Sequence, residues 1–133
     1  MKRRAAAASG SSGRLNNGVT KKGRSTRLRV LKAGRRVVEK RGYFDASVTE
    51  ITEESGVALG TFYRYFDNKD ELFLELLNEL VSSLYHSVSG SWVKGDELRS
   101  LRISSQRYLQ AYYENRKLIA AMIQMAGAVP DCA

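Results

Sequence analysis

Apolar positions recur at three- and four-residue spacing through most of the chain from residue 26 onward, the period of amphipathic helices. Between Thr26 and Arg41, Val30, Leu31, Ala33, Gly34, Val37 and Val38 share one face, while Arg29, Lys32, Arg35, Arg36 and Glu39 share the other. Gly34 lies in the apolar stripe, where the absence of a side chain permits close approach by another helix, and Gly42 is placed to end the helix. A short second helix opens at Ser47-Val48-Thr49-Glu50, the pattern of a capping box, with Val48, Ile51 and Thr52 inward. Gly56 supplies a turn. A third helix follows over residues 58–65, with Val57, Phe62 and Phe66 on its buried side. Asn68 to Glu71 is a second capping pattern. It opens a long helix to about Ser89 whose stripe is Leu72, Phe73, Leu76, Leu77, Leu80, Val81 and Leu84.

Two more helices are predicted after a Ser/Gly-containing loop. One is capped by Asp96 and runs to about Asn115, with Leu98, Leu101, Ser105, Tyr108, Leu109 and Tyr112 on one face. The other runs from Arg116 to about Ala128, carrying Leu118, Ile119, Met122, Ile123 and Ala126, and Pro130 stops it. No segment alternates as a strand does, so the expected fold is all-α.

Composition adds an asymmetry. Residues 1–38 hold twelve Lys and Arg and no acid, whereas residues 39–133 hold ten basic and fourteen acidic residues. A basic excess confined to one end points to an anionic partner, nucleic acid or membrane surface, or to a solubilising tail. Residues 1–25 have almost nothing to bury and are expected to be disordered. The start, charged but lacking an apolar core, does not read as a signal peptide, and no apolar run approaches the length of a membrane span. One cysteine, Cys132, and one histidine, His86, leave no basis for a disulfide framework or a cysteine- or histidine-rich metal site. The expected setting is the cytoplasm.

Catalysis finds no footing: there is no phosphate-binding glycine loop, paired-histidine metal motif or nucleophile elbow. No cofactor is expected. The acids Glu50, Glu53 and Glu54 are accounted for by capping and a solvated helix face. The strong signal is the pair of short helices around Gly56. A helix that enters the DNA major groove needs small outward residues for close approach, and Gly60 and Thr61 are small. It needs base-edge contacts: Arg64 can bond guanine, and Leu59 and the Thr61 methyl can meet thymine methyls. It also needs phosphate donors, which Thr49, Thr61, Tyr63, Tyr65 and Lys69 can supply. Ser47 and Ala58, at the starts of the two helices, complete this set. The competing reading is a helical hairpin with all of its aromatics in the core, and it holds for Phe62 and Phe66.

At these residues the chain resembles the tetracycline-repressor (TetR) family of bacterial transcription regulators. The resemblance runs through Val30-Leu-Lys-Ala33, Arg41-Gly-Tyr-Phe44 and Ser47-Val-Thr-Glu-Ile51. It is densest in Gly56-Val-Ala-Leu-Gly-Thr-Phe-Tyr-Arg-Tyr-Phe66 and Asn68-Lys-Asp-Glu-Leu72, covering residues 28–77 in all. Tyr112 to Leu118 is more loosely similar to the junction of the fifth and sixth helices in many members.

The resemblance implies a three-helix DNA-binding head with a helix-turn-helix, a helical ligand-binding and dimerisation body, a homodimer on a palindromic duplex operator, and a small-molecule effector. The expected division is a basic tail at 1–25, a head at 26–69 and a partial regulatory body at 70–133. Basic extensions in the family lie along the minor groove, which suits the stretch Lys21–Arg29 with Arg24 and Arg27. Tyr108, Tyr112, Met122 and Met125 are candidate effector contacts, although the same spacing describes ordinary core. Two departures stand out. Ala58 occupies a position where members often have a capping Ser or Thr. Family bodies also continue past a sixth helix to build the dimer interface, so a chain ending at Ala133 is expected to be short or truncated. Against a regulator stands a second expectation, a protein-interaction module that pairs with another regulator through exposed apolar faces.

Overall fold

The computed structural model describes residues 20–128. Among them lie six helices and no strand: α1 Lys21–Arg41, α2 Val48–Ser55, α3 Leu59–Tyr65, α4 Lys69–Ser89, α5 Glu97–Glu114 and α6 Arg116–Ala128. None is long and apolar enough to cross a membrane. The expected tail falls mostly outside the described residues, but its last part does not. Residues 21–25 are helical rather than disordered, because the Thr20 hydroxyl caps α1 by accepting the Gly23 N–H at 3.1 Å and Gly23 is itself buried.

Every predicted inward residue of α1 is buried. They meet Ile51 of α2, Phe62 and Phe66 of α3 and its exit, and Leu72, Phe73 and Leu76 of α4 in one cluster. Gly34 is the point of closest approach: a β-carbon there would lie 2.5 Å from Leu72 Cδ2. The Arg27 guanidinium, from the outer turn of α1, makes a bidentate pair with Glu75 of α4 and covers the Phe66 ring at 4.9 Å. Glu75 thereby holds the Arg27 charge more firmly than in the free side chain.

α6 returns to α1 and buries Leu118, Ala121, Met122 and Met125 in the same cluster. The core is therefore continuous across the expected head–body boundary at 69/70. Polar ties follow the same path. Arg35 Nη2 donates to Asn115 Oδ1 at 2.6 Å, and the Tyr43 N–H donates to Gln124 Oε1 at 3.0 Å.

α5 departs from the reading of its pattern. It packs on α4 through Ser100 and Ser104, while Leu98, Leu101, Tyr108, Leu109 and Tyr112 are exposed, Leu98 by 83%. Its serines are what its neighbours can use. The Ser100 hydroxyl accepts the Val93 N–H and donates to the Asp96 carbonyl, both at 2.8 Å, and Ser104 donates to the Val88 carbonyl, so they staple the α4–α5 loop to the helix. Val81 also falls outside the buried α4 stripe: Leu72, Phe73, Leu76 and Leu80 are buried, and Val81 is 57% exposed.

Tyr43, in the corner between α1 and α2, is buried and donates its hydroxyl proton to Asp70 Oδ1 at 2.7 Å. That bond, then burial, then the Asp70 charge raise its pKa from 10.0 to about 12. The folded state holds this proton to a higher pH than the unfolded chain does. The associated stability is therefore complete below pH 10 and lost as pH rises through about 12. Denaturant titrations across that window should show the loss, and Tyr43→Phe should flatten it.

Candidate nucleic-acid interface

The helix pair is built by local chemistry. Ser47 Oγ accepts the Glu50 N–H at 3.1 Å and starts α2. Only half of the predicted capping box forms, because the Glu50 carboxylate turns to Arg41 at 3.0 Å instead of back to the cap. Glu54 likewise pairs with Arg36 at 2.8 Å. α2 ends at Gly56, whose φ of 69° and ψ of 27° lie in the left-handed region that glycine adopts without strain. The Val57 N–H then returns to the Thr52 carbonyl at 3.2 Å, closing the turn.

α3 starts without a side-chain cap. Ala58 has the extended backbone of a cap, φ −70° and ψ 153°, and its carbonyl accepts from Thr61 and Phe62, but no side chain bonds the free amides of the first turn. Ala58→Ser should therefore raise stability by about 0.5–2 kcal/mol, read as a higher thermal midpoint.

Phe62 and Phe66 turn inward, 0% and 1% exposed, with ring centroids 5.7 Å apart. This fixes the other side of the helix. Ala58, Leu59, Gly60, Tyr63 and Arg64 are exposed, and Thr61 is half-buried. Tyr63 sets its ring edge-on against Phe62 at 5.3 Å, which orients it without burying it. On the other helix of the pair, Ser47 and Thr49 are exposed at the start of α2. Arg64 has no carboxylate partner among the described residues, unlike Arg27, Arg35, Arg36 and Arg41. The helix pair thus exposes an unpaired guanidinium, two hydroxyls, a phenol, an apolar Leu59 and an open Gly60.

Two candidates are committed elsewhere, and a third is partly covered. Lys69 Nζ donates to the carbonyls of Tyr43, Phe44 and Ala46 at 3.0, 3.4 and 3.0 Å, and lies 4.8 Å over the Tyr43 ring. An ammonium has three protons, so nothing remains for a phosphate in this arrangement. Arg27 is held by Glu75. Tyr65 is half-buried against the core cluster. Arg24 remains exposed near the start of α1, on a helix rather than a loose arm. The four candidate effector residues are not brought together either. Tyr108 and Tyr112 face outward, their rings 6.5 Å apart, while Met122 and Met125 are buried with α1. Tyr108 instead lines an open groove with Val88, Leu101, Ser104, Ser105 and Leu109.

Gly60 gives a separable test. A β-carbon there meets nothing within 4 Å. Gly60→Ala should therefore gain up to about 1 kcal/mol of helix stability while lowering DNA affinity, because the added methyl stands where close approach is needed. Thermal melting and duplex titration on the same sample check both parts.

Sequence reasoning missed Glu75, Gln124 and Tyr43 as the groups that hold this surface in place. Their partners lie 48, 81 and 27 residues away respectively, and no local pattern signals them.

The arrangement has relatives. Residues 30–76 match the family model described as bacterial regulatory proteins, tetR family. The chain is 34% identical over 89 residues to the probable HTH-type transcriptional regulator ArpR of Pseudomonas putida, covering 67% of this chain and 42% of that protein. It is 33% identical, with the same coverage of each, to the HTH-type transcriptional regulator TtgR of the same species. With the uncharacterized HTH-type transcriptional regulator YdgC of Bacillus subtilis it shares 39% identity over 61 residues, 46% of this chain and 31% of the relative. The matched stretch is thus less than half of each relative's length. Residues 30–76 contain the whole helix pair, and with that pair built as the residues dictate, the chain belongs to the tetR family of bacterial regulatory proteins.

Proposed function

We propose that the chain is a transcriptional regulator that binds duplex DNA by laying α3 in the major groove, and that it acts as a ligand-responsive repressor. The observation that carries this reading is the outward side of α3: Leu59, Gly60, Tyr63 and unpaired Arg64 stand on a helix whose opposite side is locked by Phe62 and Phe66. Ser47 and Thr49 supply further donors for phosphate, which position the helix without reading sequence. The repressor sense rests on relatives, one of them named as the transcriptional repressor DhaR of a Mycobacterium species, 29% identical over 87 residues.

Two heads in a homodimer would read half-sites about 34–36 Å apart, one turn of DNA, in a palindromic operator. A small-molecule effector would act by favouring a body conformation with the wrong head spacing, to the extent of its differential affinity for the two states. The test is enrichment of duplexes from a random-sequence pool by the purified chain, followed by salt-titrated binding. Enrichment of an inverted repeat, bound far more tightly than random duplex, is expected. No enrichment would sink the reading.

The exposed α5 face favours a second reading, a protein-interaction module that pairs with another regulator. A chain that sediments as a monomer and binds DNA no better than a peptide of its basic residues 1–25 would favour that module.

A further inference from the structure

The outer side of α1 carries charge of one sign. Lys22, Arg29, Lys32, Arg36 and Lys40 follow one another at spacings of seven, three, four and four residues, so they lie in one line along the helix, and all five are exposed. The line is ~27 Å long at about 1.5 Å per residue. Arg36 shares its charge with Glu54 of α2, whereas Lys22, Arg29, Lys32 and Lys40 have no carboxylate partner among the described residues. Glu39, the one acid of α1, is held by Arg35.

A helix face that only meets water does not need this arrangement. Like charges three and four residues apart repel each other, whereas mixed signs solvate a helix as well and add attractive pairs. Lys21 and Lys22 stand in a first turn without an acid and also oppose the helix dipole. A polyanion along the outer side of α1 would relieve both. The line also selects among polyanions. Protein interfaces take most of their affinity from buried aromatic and apolar anchors, and the one large apolar side chain exposed on α1 is Leu28. A nucleic-acid backbone binds through counterion release without such anchors. The line is separate from the outward side of α3. It lies opposite the buried side of α1, while the α3 surface lies opposite Phe62 and Phe66, and both buried sides meet in the same core.

We propose that the outer side of α1 is a second, sequence-independent DNA site, which holds the phosphate backbone of another duplex segment while α3 occupies the first. That the first duplex sits on α3 rests on the reading above. A chain with both sites joins two duplex segments when both are filled, and passes from one segment to the other without entering free solution.

The experiment uses the full chain. A duplex that the wild type enriches from a random pool is immobilised and saturated with protein, and a fluorescent random duplex is then added. The wild type is expected to retain the second duplex, less as salt rises. The triple variant Arg29→Gln, Lys32→Gln, Lys40→Gln keeps α3 and residues 1–25. It is expected to bind the immobilised duplex within about twofold of the wild type and to retain the second about tenfold less, through the loss of three phosphate contacts. Thermal melting checks that it is folded. The variant Arg29→Lys, Lys32→Arg, Lys40→Arg keeps every charge and is expected to retain the second duplex as the wild type does. No retention by the wild type overturns the proposal. Equal retention by the wild type and the glutamine variant also overturns it, because the second duplex is then held elsewhere on the chain. A glutamine variant that loses affinity for the immobilised duplex in equal measure, with a salt slope shallower by about 2.7, or about 0.9 for each of three contacts, would place the line on the first duplex and overturn a second site. Retention of poly-glutamate but not of random duplex would put an acidic protein in place of DNA and overturn it as well. A pool that yields no enriched duplex overturns the reading of α3 alone. The line is then tested by titrating random duplex with the wild type and the glutamine variant: a shallower salt slope in the variant supports the site, and an unchanged slope overturns it.

Discussion

Phe62→Ala is expected to cost about 3–5 kcal/mol of folding stability, the range for removing a wholly buried aromatic side chain. A domain of this size has about 5–15 kcal/mol in total, so the variant should melt far below the wild type or fail to fold at ambient temperature. Phe62 is 0% exposed and is the one fully buried side chain within α3. It holds the helix to α1 and α4, and Phe66, at the helix exit, cannot replace it. The neighbouring Tyr63→Ala is the control. Tyr63 is 50% exposed and contributes one edge-on contact to Phe62, so its loss should cost no more than about 1.5 kcal/mol. Circular-dichroism melts and urea titrations of the two variants would separate the inward side of α3 from its outward side. Similar losses in both would contradict the assigned orientation of the helix.

The second large effect belongs to Arg64. Arg64→Ala should leave stability within about 0.5 kcal/mol, as for other exposed positions without a partner, and should cost about 1–3 kcal/mol of binding to a selected duplex. Selectivity should relax at one base pair, because a guanidinium that bonds both acceptors of guanine distinguishes it from the other bases. Binding to a panel of duplexes, each changed at one base pair, reads this directly. An equal loss on random and selected DNA would instead assign Arg64 to a phosphate. The expectation turns on Arg64 being unpaired. Arg27, Arg35, Arg36 and Arg41 neutralise Glu75, Glu39, Glu54 and Glu50, and removing any of them would strand a carboxylate as well as remove a cation.

The interplay of these arginines shows how far the linear pattern reaches. That Arg27 and Lys69 are basic, and lie close in sequence to the helix pair, made both natural candidates for phosphate. In the fold, Arg27 meets a glutamate 48 residues away, and Lys69 meets carbonyls 23 to 26 residues away. Charge near an interface is a property of composition, whereas a free charge is a property of the packing around it. Tyr65 makes the same point without charge: its flank position on α3 is compatible with either environment, and the seating of α3 leaves it half-buried beside the core. Tyr108 and Met122 share a residue class that suits a pocket, yet one is exposed and the other is buried beside α1.

What the sequence by itself determined lies within spacings of four residues or fewer. It specified the helices, the caps at Ser47, Asn68 and Asp96, the turn at Gly56, and the inward faces of α1 and α3. Helical hydrogen bonds and capping act over that range, so the information is local. Even the start of α1 was misjudged only because a short basic stretch gains its order from the Thr20 cap and the burial of Gly23. The tertiary structure decided which amphipathic faces found a partner and which cations stayed free. The apolar face of α5 is as regular as that of α1, but α4 had already committed its buried stripe to α1 and α3, and the α4–α5 loop needed the serines of α5 for its carbonyls and amides. A periodic face states what a helix can bury. Whether it does so depends on the surfaces left by helices distant in sequence.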